Sequence, residues 1–289
     1  MFFQHYNSLA ATKSMGDNGF ENNSSSKSVT LLLKFSETNL EITFTCVIFT
    51  ITFFGAIGNL AAIGKIIYDP KNHTPTFAVI GQLALADFLS VTTTTFIRMT
   101  NIWEIWFHII FISNTSILSS YYYHVCFLSV VRYLITVHPL QSRQYLTVTA
   151  VCLCSLTIWI SSGVVGTCFT IFRTSNTFLG RIIIDVVLLL TVLFIMILLH
   201  VKKIRSLQNS LSVTEQSQRR MNSVVTVIIS IFAILQIIII SNEILLIIYF
   251  QLFSDEIVIY IIYISFCRMF FECLNFSCNP YILFFSQFI

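Results

Sequence analysis

Seven apolar runs divide this chain, at about 43–67, 76–98, 106–137, 147–171, 178–201, 222–250 and 256–287. Each is long enough for one crossing of a bilayer, which takes ~20 residues. In hydrocarbon a backbone amide must find its partner within its own segment, so each run predicts a helix. The joins carry the topology. Lys65, Lys71, Arg132, Arg143, Lys202, Lys203, Arg205, Arg219 and Arg220 fall at or between the ends of runs 1–2, 3–4 and 5–6. The opposite joins offer little beyond Arg98 and Arg173, with Asp255 and Glu256 in the last. Lys and Arg favour the cytoplasmic side. The expected fold class is therefore an all-α membrane protein, a seven-transmembrane helix bundle with its N-terminus outside and its C-terminus inside.

Ahead of the first run, residues 1–42 are polar and are expected to form a flexible extracellular tail, with residues 43–289 as the transmembrane domain. Overlapping Asn-x-Ser sequons make Asn22 and Asn23 glycosylation candidates. Met1-Phe2-Phe3-Gln4-His5 has neither a basic n-region nor a continuous apolar h-region, so the first run is expected to direct insertion. At the other end Ile289 lies about two turns beyond Pro280, so an amphipathic helix and a phosphorylatable tail are expected to be missing or truncated.

Composition agrees with this pattern and removes other classes. The chain is 56% hydrophobic and 10% charged, with 28 phenylalanines, whereas globular domains are ~25% charged. A net charge of +3, gathered beside apolar runs, gives no support to nucleic-acid binding. Cys46, Cys126, Cys152, Cys154, Cys273 and Cys278 lie inside apolar runs as small hydrophobes; only Cys168 and Cys267 approach a membrane edge. The six histidines are scattered, and no paired nucleophile and base stands out, so neither an enzyme nor a cofactor is expected. His124 reads as a satisfied core histidine.

The polar residues inside the runs are few and placed. Gly55-Ala56-Ile57-Gly58-Asn59-Leu60 puts small residues and one asparagine at mid-depth in run 1. Asp87 in run 2 is costly alone in hydrocarbon, and Asn59, Asn275 and Asn279 are its natural partners, forming a central polar network. Run 3 ends in Arg132-Tyr133, and Pro139 stops the helix soon after. Taken alone, Arg132 is a snorkelling anchor whose stem stays in hydrocarbon.

Taken together, Gly58-Asn59, Leu83-Ala84-Leu85-Ala86-Asp87, Arg132-Tyr133 with His138-Pro139-Leu140, Trp159 and Asn279-Pro280-Tyr281 resemble the rhodopsin-like (class A) G-protein-coupled receptors in identity, order and spacing. The resemblance covers roughly residues 43–289. It implies a multi-pass plasma-membrane receptor in the lipid bilayer, in which an extracellular ligand biases an equilibrium. The inner end of run 6 moves outward and opens a groove for a heterotrimeric G protein. On that resemblance Arg132, Tyr133, His138, Pro139, Leu140, Arg219, Arg220, Asn279, Pro280 and Tyr281 are placed at coupling and activation. Membrane-surface anchoring is the plainer role for Arg219 and Arg220, and the two roles are compatible.

The departures from that pattern are as specific. Val131 replaces the acidic residue beside Arg132, removing a local ion pair that helps hold the resting state. The cysteine at the outer end of run 3 is absent, with Phe107 near its place, and the join 172–177 is short, so the usual outer-loop disulfide cannot form. Run 5 has no proline, and in run 6 Phe232 matches while Gln236 and Ile238 replace the usual tryptophan and proline. A straighter run 6 follows, since proline is the commonest cause of sharp kinks. Leu283 stands where a tyrosine is usual. Asp87 is a candidate for sodium, but Tyr121 replaces a serine there and a phenol would fill the ion's space, which disfavours it.

Ligand candidates are the polar residues of the outer halves: Arg98, Asn114, Asp185, Gln236, Asn242, Glu243, Arg268 and Glu272. Asn114 lies 18 residues before Arg132, ~27 Å outward along a helix. Amine receptors carry an aspartate at that level, and asparagine supplies no counter-ion, so an amine ligand is disfavoured. Arg181 with Asp185, and Arg268 with Glu272, are four apart and can neutralise one another on one helix face. No lysine follows Lys203, so run 7 forms no retinal Schiff base. A peptide or a small chemosensory molecule is the expected ligand. The rivals are a degenerate receptor that folds without coupling and, further off, a transporter, against which the lack of an internal repeat counts.

Overall fold

The computed structural model describes the backbone of residues 23–99, 104–175, 178–209, 216–252 and 258–285. Side chains are described within 42–97, 109–110, 112–168, 186–206, 226–227, 230–245, 263–282 and at 248. Seven long helices account for nearly all of this: α1 (Asn23–Tyr68), α2 (Pro75–Met99), α3 (Glu104–Val137), α4 (Val148–Ser175), α5 (Phe178–Asn209), α6 (Gln216–Leu252) and α7 (Val258–Phe285). Each contains or closely overlaps one of the seven apolar runs, and no strand occurs among the described residues.

The helix ends follow local chemistry. After α1, Asp69 caps a single 3-10 turn, Pro70–Asn72, by accepting from the Lys71 amide at 3.1 Å. Thr74 then caps α2, its hydroxyl accepting from the Phe77 amide at 3.4 Å. Between α3 and α4, Pro139 opens a short helix, Pro139–Tyr145, at its first position, where a missing N–H costs nothing.

One boundary differs from expectation. Helical backbone begins at Asn23, well inside the segment expected to be a flexible tail. No glycine or proline occurs between Asn23 and Phe54, so nothing in the backbone stops the helix at the edge of the apolar run. By its contacts the chain divides into two units, Met1–Cys46 and Val47–Ile289, and the bundle is the second.

Within the bundle α3 is the central helix, packed on α2, α4, α5 and α6. Its buried residues Tyr121, Leu128 and Val131 meet Val79 and Ala86 of α2 and Met196 of α5 in one apolar core. The outward faces are apolar too. Phe53 of α1, Ile160 of α4 and Phe194 of α5 are 62%, 61% and 63% exposed, an arrangement that water would penalise and lipid does not. Among the described residues, Ile42–Tyr68, Pro75–Ile97, Val148–Cys168 and Val186–Ser206 are each long and apolar enough to cross a membrane.

Small residues let α1 approach α7 closely. A Cβ on Gly55 would collide with the side chain of Ser277, and one on Gly58 would press on Pro280 and Tyr281. The space is used: Ser277 donates to the carbonyl of Ile51 at 3.2 Å and Tyr281 to that of Phe54 at 2.8 Å. Gly64, by contrast, faces open space. Gly55→Val is expected to lower the unfolding midpoint of the purified chain, at a cost of about 1–3 kcal/mol from overpacking, while Gly64→Val leaves it within error. Equal midpoints for the two variants would contradict the tight α1–α7 seam.

Candidate functional site

At mid-depth, Pro280 lies inside α7. Having no N–H, it leaves the carbonyl of Phe276, four residues earlier, without its helical donor. In hydrocarbon such a carbonyl must be satisfied from elsewhere. Asn59 does so: its Nδ2 donates to Phe276 at 3.0 Å and to Gly55 of its own helix at 3.0 Å. Asp87 is wholly buried on α2, and Asn279 Nδ2 donates to its Oδ2 at 2.8 Å. Asn59, Asp87, Asn279 and Pro280 line one small cavity. Asn275 is buried beside them, and the fully buried Tyr121 packs edge-on against Phe276 with ring centroids 4.8 Å apart.

The structure brings Asn59, Asp87 and Asn279 to one cavity, but wires them differently from the expectation. Asn59 does not bond Asp87; it bridges α1 to α7 through backbone, and among the described residues Asn279 holds the acid by a direct side-chain bond. Two other cross-links stiffen this level. Trp159 Nε1 of α4 donates to Gln82 Oε1 of α2 at 3.0 Å, and the ring of His124 lies against Trp159. His124 is only half satisfied: Nδ1 contacts the Ser120 carbonyl at 2.8 Å, while Nε2 is buried without a partner among the described residues.

Toward the end of the bundle expected to be outer, a second cavity opens between α3, α5, α6 and α7. Arg268 is its ionic pivot. Nη1 pairs with Glu243 across helices, and Nε pairs with Glu272 on its own helix at 3.0 Å. Glu243 is 2% exposed, Glu272 19% and Arg268 32%, so the cluster faces the cavity rather than bulk solvent. The neutralising pair at four-residue spacing is thus present, but it is part of a cross-helix triad carrying two carboxylates for one guanidinium. Of the other ligand candidates, Asn114 is half-buried and outside the cavity lining, and Asn242 bonds the Ile238 carbonyl of its own helix at 2.9 Å. Gln236 is buried with neither end of its amide partnered among the described residues. The side chains of Arg98, Arg181 and Asp185 lie outside the described residues, as do those of Asn22 and Asn23.

Sequence reasoning missed the α3 wall of this cavity, Thr115, Leu118, Ser119 and Tyr122. These positions fall at i, i+3, i+4 and i+7, one helix face. That spacing was the available signal, and Asn114 sits one position off it.

At the end of the bundle expected to be inner, Arg132 is 3% exposed, packed inside the bundle rather than on its outward apolar surface. Val131 is fully buried beside it. Tyr133 rests edge-on to His138, with centroids 6.1 Å apart, while His138, Pro139, Leu140 and Tyr281 are exposed. The side chains of Arg219 and Arg220 are outside the described residues. Lys203, read from sequence only as a topological charge, is 3% exposed and donates to Thr226 of α6 at 3.1 Å.

Apolar outward faces around a buried acid, a charged cavity and a buried arginine are the features of a seven-helix membrane bundle. Comparison with known proteins adds what the chain is similar to. Residues 58–183 match the model of the seven-transmembrane receptor, rhodopsin family. The chain is 32% identical to human trace amine-associated receptor 9 over 141 residues, 44% of this chain and 39% of that receptor. It is 33% identical to the mouse receptor of that name over 126 residues, 40% of this chain and 35% of the other. A shorter stretch of 49 residues is 41% identical to human olfactory receptor 2L13, 17% of this chain and 16% of that one. These matches span well under half the length of the relatives. Over residues 58–183 this chain is therefore similar to the seven-transmembrane receptors of the rhodopsin family.

The backbone role of Asn59 has a direct check. Asn59→Leu leaves the Phe276 carbonyl unsatisfied and is expected to cost about 1–3 kcal/mol. In a Pro280→Ala background an amide at position 280 takes that carbonyl, so the cost of Asn59→Leu should shrink. A thermal-unfolding double-mutant cycle with additive effects would contradict this assignment.

Proposed function

We propose that this chain is a plasma-membrane G-protein-coupled receptor, N-terminus outside and C-terminus inside. A small cationic ligand in the outer cavity biases the bundle toward a state that engages a heterotrimeric G protein at its inner face. The observation that carries the ligand class is the Glu243–Arg268–Glu272 triad. With all three groups ionised it bears one net negative charge in a cavity walled by membrane helices, and such a site complements a cation. Asn114 on α3 supplies no counter-ion for an amine, and the triad provides that charge from α6 and α7 instead. The names of the relatives, trace amine-associated and olfactory, favour a small molecule over a peptide.

On the inner face, Arg132 with the exposed His138, Pro139 and Leu140 forms the coupling surface in this reading, joined by Tyr133, Tyr281, Arg219 and Arg220. Asp87, Asn275, Asn279 and Pro280 form the mid-depth element whose packing differs between the two states. Sodium at Asp87 is disfavoured, because Tyr121 occupies the same centre. A folded chain that does not couple is the second reading, and Val131 in place of an acid is the observation that favours it.

Second-messenger assays on cells expressing the chain separate these. A panel of small primary amines should contain an agonist. Glu243→Gln, at equal surface expression, should lower its potency at least ~10-fold, about 1.4 kcal/mol, whereas Arg268→Gln should not lower it. The opposite pattern, loss with Arg268→Gln and gain with Glu243→Gln, would assign an anionic ligand. Arg132→Ala should reduce agonist signalling; unchanged signalling in that variant would overturn coupling through this face.

A further inference from the structure

Among the described residues, the inner end of the bundle holds positive charge without an acid. Arg132 of α3 and Lys203 of α5 are each 3% exposed, and each lies within electrostatic reach of the other. Lys203 Nζ donates to the Thr226 hydroxyl of α6 at 3.1 Å. Arg132 Nε and Nη2 are buried with no hydrogen-bond partner among the described residues. His200, one turn before Lys203, also feels the lysine's charge, and its Nδ1 is buried without a partner among the described residues. Among the described residues the ion pairs belong to Arg268, at the other end of the bundle, so no described carboxylate neutralises this corner. The neighbour of Arg132 that might have been acidic is Val131, wholly buried.

Buried cations are held where an opposite charge or full hydrogen bonding compensates the lost hydration. Here two like charges and unused guanidinium N–H groups converge from separate helices. We propose that the Arg132–Lys203–Thr226 corner is a binding site for a small inorganic anion, of chloride or phosphate chemistry. The guanidinium supplies charge-assisted N–H donors, Lys203 supplies the second charge and a further donor, and the anion neutralises their repulsion. The site lies inside the bundle, which favours a small free ion over a headgroup tethered to acyl chains. Bound there, the anion links the inner ends of α3 and α5 beside the α5–α6 contact. On the receptor reading above, it therefore favours the closed inner face and substitutes for the ion pair that Val131 cannot make.

Thermal unfolding of the full chain, purified in a nonionic, phosphate-free detergent with gluconate as the only anion, tests this. Chloride or inorganic phosphate, exchanged in at constant ionic strength, is expected to raise the unfolding midpoint by several degrees and to saturate. Lys203→Met and Arg132→Met should each abolish the rise, and Lys203→Arg should keep it. Should a methionine variant fail to fold, Lys203→Gln, which keeps a donor and removes the charge, is expected to blunt the rise. An equal rise in wild type and charge-removing variants, no saturable rise at all, or stabilisation only by phosphatidylglycerol or by an acidic peptide overturns the site. The readout is stability rather than signalling, so its failure is distinguishable from failure of the receptor reading.

Discussion

A carbonyl that lipid cannot hydrate ties the first helix of this bundle to the last. Pro280 frees the oxygen of Phe276, and in hydrocarbon that oxygen must be met by another donor. Asn59 meets it only because Gly55 and Gly58 let the two backbones come close enough. The same proximity allows the Ser277 and Tyr281 hydroxyls to reach carbonyls of α1. One turn on, Asn279 is thereby positioned against Asp87, so the burial of a carboxyl group on α2 depends on a seam built between α1 and α7. Proline, two glycines, an asparagine and an aspartate form one mutually dependent set.

Much of this was legible because membrane solvation narrows the choices. Run length and the hydrogen-bond requirement gave seven helices, and the cost of a lone acid in hydrocarbon singled out Asp87 with its amide partners. What sequence spacing cannot convey is which polar atom faces which. Asn59 was matched to Asp87 as amide to acid, although Pro280 four residues after Phe276 already implied a competing acceptor. In the outer half, Arg268 and Glu272 were visible as a one-helix pair. Glu243 joins them only through the packing of α6 on α7, which a contact between residues 25 positions apart in sequence does not announce. The upstream extension of α1 was missed for a different reason: hydropathy marks where lipid ends, whereas the backbone stops only where a breaker occurs.

The two ends of the bundle handle charge in opposite ways. At the outer end, two acids and a base meet within one cluster. At the inner end, cations from α3 and α5 lie together beside a buried valine. Both arrangements join helices, but with different consequences. A charged guest at the outer cavity competes with an existing ion pair, so it must displace or share a partner. A negative group at the inner corner meets unused donors and relieves repulsion, so it adds a contact without breaking one.

These two ends share α6. Glu243 of the outer triad and Thr226 of the inner corner stand 17 residues apart on one helix, ~25 Å at 1.5 Å per residue. Phe232 and Gln236 lie between them, with Phe232 against Tyr121 at the level of the buried acid. The chain's four prolines are Pro70, Pro75, Pro139 and Pro280, so α6 has none to bend it. A kinked helix can change its bend and leave one end at rest, but an unkinked one turns or tilts as a unit. Any shift of Glu243 relative to Arg268 is therefore imposed on Phe232 at the centre and on the Lys203–Thr226 contact at the inner face. α6 thus carries one member of the outer triad and one of the inner corner on a single helix with no proline between them.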